Sequence, residues 1–281
     1  PSNYAYWQND LDDLNIFLGS DSSPSLVYGW HHNTFDLDWG NWFPMVSEFV
    51  TYGQAVSATG HAFALYTHIG VYSAHDGVPS FSSSYVPGFE GQSVLPFALG
   101  RPDGTPGWIK EPGGIPAGVE PKDAIELCYA AKQDGLSFTA EYAKHLARQL
   151  HEQAGATGIY LDTFGQTRPC YATNHEHPIG GGNFFNVSMR ALIGDLKQSM
   201  RQEVPEAFVF IEAENEMFLD QVELSYPHNS EEGYETAFEL LPLFQTVFHE
   251  FQIVGRVRAL KAALPSFAPL EKNQAWWTLR R

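Results

Sequence analysis

The segment GIYLDTFG, residues 158–165, runs apolar toward a core and then ends on Asp162. A second run, AFVFIEAENE at 207–216, ends on Glu212, with Glu214 and Glu216 close behind. A carboxylate at the end of a buried strand is costly unless it is paired or used. Neighbouring parallel strands lie about 4.8 Å apart, so two such carboxylates can converge on one bound atom. One acid held ionised and one held protonated is the equipment for opening an acetal. The first attacks the carbon or activates water, and the second protonates the leaving oxygen. Asp162 is short and anchored, which suits attack; Glu212 is longer and can reach a leaving oxygen. The spacing leaves the two roles open to exchange. Residues 212, 214 and 216 share one face of a strand, so the choice among the glutamates also stays open. The bland alternative is an aspartate that caps the following helix.

Other chemistry-bearing residues fall at the ends of apolar runs. They are Trp30, His31 and His32; Tyr66 and His68; Cys128 and Tyr129; and His249 and Glu250. Trp30 is either a platform under a sugar ring or a plug, and Asp36 opens the loop behind it. RPCYATNHEHPIGGGN, 168–183, places Cys170, His175, His177 and Asn183 after the Asp162 strand. The spacing Cys-x4-His-x-His is not a standard structural zinc set, and no fourth ligand is evident. The preferred role of the two histidines is hydrogen bonding to sugar hydroxyls; the alternatives are a metal-dependent hydrolase or a self-satisfied loop. There is no Gly-x-Ser-x-Gly elbow, phosphate loop or His-Glu-x-x-His helix.

These residues need elements to hold them. Strands are expected at 25–32, 61–69, 124–130, 157–164 and 207–216, with weaker ones at 221–227 and 243–250. Helices are expected over 49–60, over 138–155 and from about 183 to 202. In the second of these, Phe138, Tyr142, Leu146 and Leu150 form one stripe behind Ser137 as N-cap. Near-continuous apolar strands alternating with helices mean a parallel sheet covered on both faces. The expected fold is α/β, a (β/α)8 barrel over residues 1–281, irregular or truncated at its C-terminal end. Residues 74–121 are rich in Gly, Pro and Ser and read as a long rim loop that walls the cleft.

The formal net charge is −17, from 16 basic and 33 acidic residues, which sets aside nucleic acid and anionic membranes as partners. Aromatics make up 14 %, enough to serve both a core and a sugar-stacking surface. Two cysteines are no disulfide scaffold. The first residue is Pro1, which reads as a processed or excised piece and leaves the compartment weakly constrained, with a secreted or periplasmic setting slightly favoured. Oligomeric state is left open.

YGWHHNTFDLDWGNWFP, GIYLDTFG, CYATNHEHPIGGGN and IEAENEMFLDQVE occur in that order. Together they resemble the blocks of an uncharacterised bacterial family of glycoside-hydrolase-like barrels. That family is itself similar to retaining α-glycosidase barrels of the α-galactosidase and α-amylase type. The resemblance covers roughly residues 25 to 250. It implies a catalytic aspartate at Asp162 and a partner glutamate at Glu212, with Glu216 as a second matching position. The expectation is therefore a glycoside hydrolase acting on a neutral oligo- or polysaccharide, with no cofactor. Trp30, His31, Asp36, Tyr66, Cys170, His175, His177, Asn183 and Glu216 are the expected substrate contacts. A carbohydrate-binding barrel without catalysis is the rival.

Overall fold

A computed structural model describes residues 24–32, 38–74, 86–110, 123–166, 168–212, 215–225, 253–254 and 276–278. In chain order the elements are β1 (Ser25–Val27), α1 (Ser47–Ala58), β2 (Phe63–Thr67), β3 (Val71–Ser73), β4 (Trp108–Lys110) and β5 (Asp123–Glu126). There follow α2 (Phe138–Ala154), β6 (Gly158–Leu161), α3 (Phe184–Arg201), β7 (Phe208–Ile211), β8 (Leu224–Ser225), β9 (Ile253–Val254) and β10 (Trp276–Thr278). None of the described helices is long and apolar enough to cross a membrane.

Local signals set the helices. Ser137 caps α2 by accepting from the Ala140 amide, and the expected stripe of Phe138, Tyr142, Leu146 and Leu150 is buried. Gly155 ends the helix at φ 74, a left-handed turn that glycine takes without a Cβ penalty. The stripe of α3 is likewise buried at Phe185, Met189, Leu192, Ile193 and Leu196.

The main sheet has the order β10-β1-β2-β6-β7-β8-β9. β1, β2, β6, β7, β8 and β9 run parallel, and β10 lies antiparallel along β1. Every residue of β2, β6 and β7 is buried, as a sheet covered on both faces requires. The six parallel strands make a partial barrel; eight strands closing on themselves are not seen among the described residues.

One expectation changes, and the described part of the long loop gains detail. The run 124–130 is not a barrel strand. Its first residues belong to β5, which lies antiparallel between β3 and β4 in a separate three-stranded sheet. An apolar run signals burial, but its partner is chosen by tertiary packing. Within 74–121, the described residues 86–110 contain a 3-10 turn at Leu95–Phe97 and strand β4. Val86, Phe89, Val94 and Phe97 there join the core, and aromatic contacts in place of periodicity anchor the segment, with Phe89 and Phe97 both against Phe138. The strand expected at 243–250 lies outside the described residues.

Candidate active site

β6 and β7 pair in register, Leu161 opposite Ile211, so Asp162 and Glu212 leave the sheet side by side. The ladder continues one step beyond the strands. The Asp162 amide donates to the Thr67 carbonyl at 2.8 Å, and the Glu212 amide to the Leu161 carbonyl at 3.2 Å. The chain then turns sharply. Thr163 sits at φ 54, a strained conformation for a β-branched residue, of the sort that collects at functional sites.

That turn aims the Thr163 amide back at both acids. It donates to Asp162 Oδ1 at 3.0 Å and to Glu212 Oε2 at 2.7 Å. Two oxygens sharing one donor at those distances stand less than about 6 Å apart, inside hydrogen-bonding reach of a common atom. Tyr66 Oη donates to Asp162 Oδ2 at 2.6 Å, so Asp162 carries two donors, an arrangement suited to an anion. The Tyr66 ring stacks against both Tyr28 and Tyr160, which also meet each other, and this three-ring cluster fixes where its hydroxyl points.

Both acids line a cavity of about 300 Å³, within the range of small-molecule sites. Trp39, His68, Tyr129, Phe185 and Arg168 line it too. His68 Nδ1 accepts from the Gly70 amide, which leaves Nε2 to carry the proton toward Thr163 Oγ1 at 3.3 Å. Burial, and then the Arg168 charge, hold the His68 imidazole down to about 3, so it stays neutral. Burial is also the main cause that raises the Tyr129 phenol. Glu126, at the end of β5, is buried on the cavity wall between two cations. Arg101 Nη2 reaches it at 2.8 Å, and Arg168 pairs with its other oxygen.

The other expected contacts lie further out. Trp30 is fully buried, donates Nε1–H to the Tyr66 carbonyl at 2.8 Å and stacks near Trp42. It supports the site from behind, while Trp39 is the indole on the cavity wall. His31 is buried against Trp30 and Trp42. Cys170, His175 and His177 cluster beside the cavity but do not line it. Asn183 is exposed at the start of α3, and Glu216 is exposed in a 3-10 turn. Asp36, Glu214, His249 and Glu250 lie outside the described residues. Sequence reasoning did not single out Glu126, Arg168, Thr163 or Trp39. Glu126 had a signal, as one charge inside the apolar run AIELCYA; the Thr163 backbone had none.

Residues 129–256 match a family described as "Domain of unknown function (DUF6259)". A Bacteroides thetaiotaomicron protein named "Putative glycoside hydrolase" is 27% identical over 109 residues, 38% of this chain. The chain spans 16% of that protein's length. Among solved structures, the ligand complex of the α-N-acetylgalactosaminidase NagBb from Bifidobacterium bifidum matches with a TM-score of 0.60 at 14% identity. It covers 89% of this chain and 36% of that one. A cycloisomaltooligosaccharide glucanotransferase from Paenibacillus sp. matches with a TM-score of 0.50 at 13% identity, over 80% of this chain and 32% of that one. At these identities the structural likeness is one of fold. The chain thus resembles a glycoside-hydrolase-like protein in sequence and α-glycosidase barrels in fold, the likeness its motifs led one to expect.

Proposed function

We propose that this barrel is a retaining glycoside hydrolase in which Asp162 attacks the anomeric carbon and Glu212 is acid, then base. The observation that carries the reading is the Thr163 amide shared by the two carboxylates at the edge of a cavity. Retaining enzymes set their carboxyl groups about 5–5.5 Å apart, inverting ones about 6.5–9.5 Å. A common donor supports the closer setting.

In the first step an Asp162 oxygen bonds to the sugar carbon as the glycosidic C–O bond breaks. Glu212 gives its proton to the departing oxygen. In the second step Glu212 takes a proton from water, whose oxygen bonds to the carbon and releases Asp162. Tyr66 and the Thr163 amide hold Asp162 in line, and effective positioning of this kind supplies a large part of such a barrier. The substrate class is a neutral oligo- or polysaccharide. The Trp39 face and the Glu126–Arg168 pair offer stacking and hydrogen bonds to ring hydroxyls.

The test is hydrolysis of a panel of aryl glycosides and oligosaccharides by wild type, Asp162→Asn and Glu212→Gln. The expected outcome is loss of at least about a thousandfold in kcat for Asp162→Asn. Glu212→Gln should lose least on substrates with good leaving groups, because these need no proton. Equal turnover by wild type and Asp162→Asn refutes the assignment. Sugar binding by calorimetry without turnover on any substrate favours the non-catalytic rival.

A further inference from the structure

Four side chains outside the carboxylate pair meet beside the cavity. Cys128 follows β5, while Cys170, His175 and His177 come from the loop before α3. One ligand atom from each lies within 4.8 Å of all the others. Cys128 Sγ is 3.5 Å from His177 Nε2, Cys170 Sγ is 3.4 Å from His175 Nδ1, and the two facing nitrogens are 3.1 Å apart.

Those separations match the edges of a tetrahedron. With metal–sulfur bonds of about 2.3 Å and metal–nitrogen bonds of about 2.0–2.1 Å, sulfur–nitrogen edges come to about 3.6 Å and the nitrogen–nitrogen edge to about 3.3 Å. The outer hydrogen bonds set both tautomers for the purpose. His175 donates Nε2–H to the Pro96 carbonyl at 2.9 Å, and His177 donates Nδ1–H to the Pro178 carbonyl at 2.8 Å. Carbonyls only accept, so the two inward nitrogens present lone pairs to each other. The two thiol protons can bridge the two sulfur–nitrogen contacts, but none is left for the nitrogen–nitrogen contact, where a cation would take up both lone pairs. The Gly100 amide also points at Cys170 Sγ, at 3.3 Å, as an amide does toward a thiolate.

We propose that Cys128, Cys170, His175 and His177 bind one zinc-type divalent cation as a closed structural site. Two thiolates and two imidazoles in tetrahedral array suit zinc, and four protein ligands leave no open position for substrate. The cation would pin the 168–183 loop to the end of β5 and to the Leu95–Phe97 turn through Pro96, shaping the wall that carries Arg168 and Glu126. The site stands whatever Asp162 and Glu212 do.

The full chain, purified in reductant without chelator, should carry about one zinc by elemental analysis. Stripped of metal and titrated with Co²⁺, it should develop thiolate-to-cobalt charge-transfer and tetrahedral d–d absorption that saturates at one equivalent. Cys128→Ser and His177→Gln should each weaken Zn²⁺ binding at least tenfold in competition with a chromophoric chelator. His177→Gln spares both thiols and keeps the comparison open if the cysteine variant fails to fold. The proposal is overturned if the reduced wild-type chain takes up neither zinc nor cobalt, or if His177→Gln binds both as tightly as wild type. A Cys128–Cys170 disulfide that persists in the protein isolated without reductant, with no metal bound after its reduction, overturns it as well.

Discussion

Gly70 offers a quantitative test of how closely the cavity wall is packed. A Cβ built there lies 2.3 Å from Tyr129 Oη and 3.1 Å from Tyr129 Cζ, where ordinary contact begins near 3.4 Å. The backbone cannot easily retreat. Gly70 donates its amide to His68 Nδ1, and its carbonyl accepts from the Leu127 amide at 2.8 Å. The phenol is equally confined, by Phe164 at 5.1 Å and Phe185 at 5.8 Å between ring centres. Gly70→Ala therefore forces Tyr129 aside by about 1 Å, at an overpacking cost of about 1–3 kcal/mol. In a chain of this size that lowers Tm by roughly 2–5 °C. Because Tyr129 lines the cavity, a displacement of that size should also cost up to about a hundredfold in kcat/KM.

The same argument fixes a control. Tyr129→Phe removes the oxygen that clashes and leaves the ring carbon, which needs to yield only a few tenths of an ångström. Gly70→Ala should then cost well under half as much, giving a coupling of about 1–2 kcal/mol in a double-mutant cycle. Chemical denaturation of the four proteins measures it. A Gly70→Ala cost equal in both backgrounds, to within about 0.3 kcal/mol, refutes the packing argument.

Other outcomes follow from the same geometry. Tyr66→Phe keeps the stacked ring but removes the donor to Asp162, so kcat/KM should fall about tenfold or more while the fold persists, as steady-state kinetics and circular dichroism would show. Thr163→Gly keeps the shared amide and removes the strained side chain, so kcat should survive within about tenfold while stability changes by less than about 1 kcal/mol. His68 has a folded value of about 3, below its unfolded 6.5, so between those values the unfolded chain binds the extra proton. Its contribution to stability is thus complete above pH 6.5 and is lost as pH falls toward 3. His68→Gln should flatten the pH dependence of denaturation in that window, and an unchanged slope would contradict it.

The sequence by itself determined the parts that depend on near neighbours. Ser137, the four-residue stripe and Gly155 delimit α2, because caps and periodicity act within a turn or two. The apolar runs of β2, β6 and β7 announced buried parallel strands, and the carboxylates after the last two stood out because charge rarely follows such runs. Only the tertiary structure decided who meets whom. It moved the 124–130 run into a side sheet, brought Tyr66 to Asp162 across 96 residues, and swung Thr163 into a conformation that local sequence does not demand. It also supplied Cys128 as the fourth member of a group that is three-fold in sequence. Distant contacts are set by how sheets and loops pack as a whole, and a linear pattern carries no record of that packing.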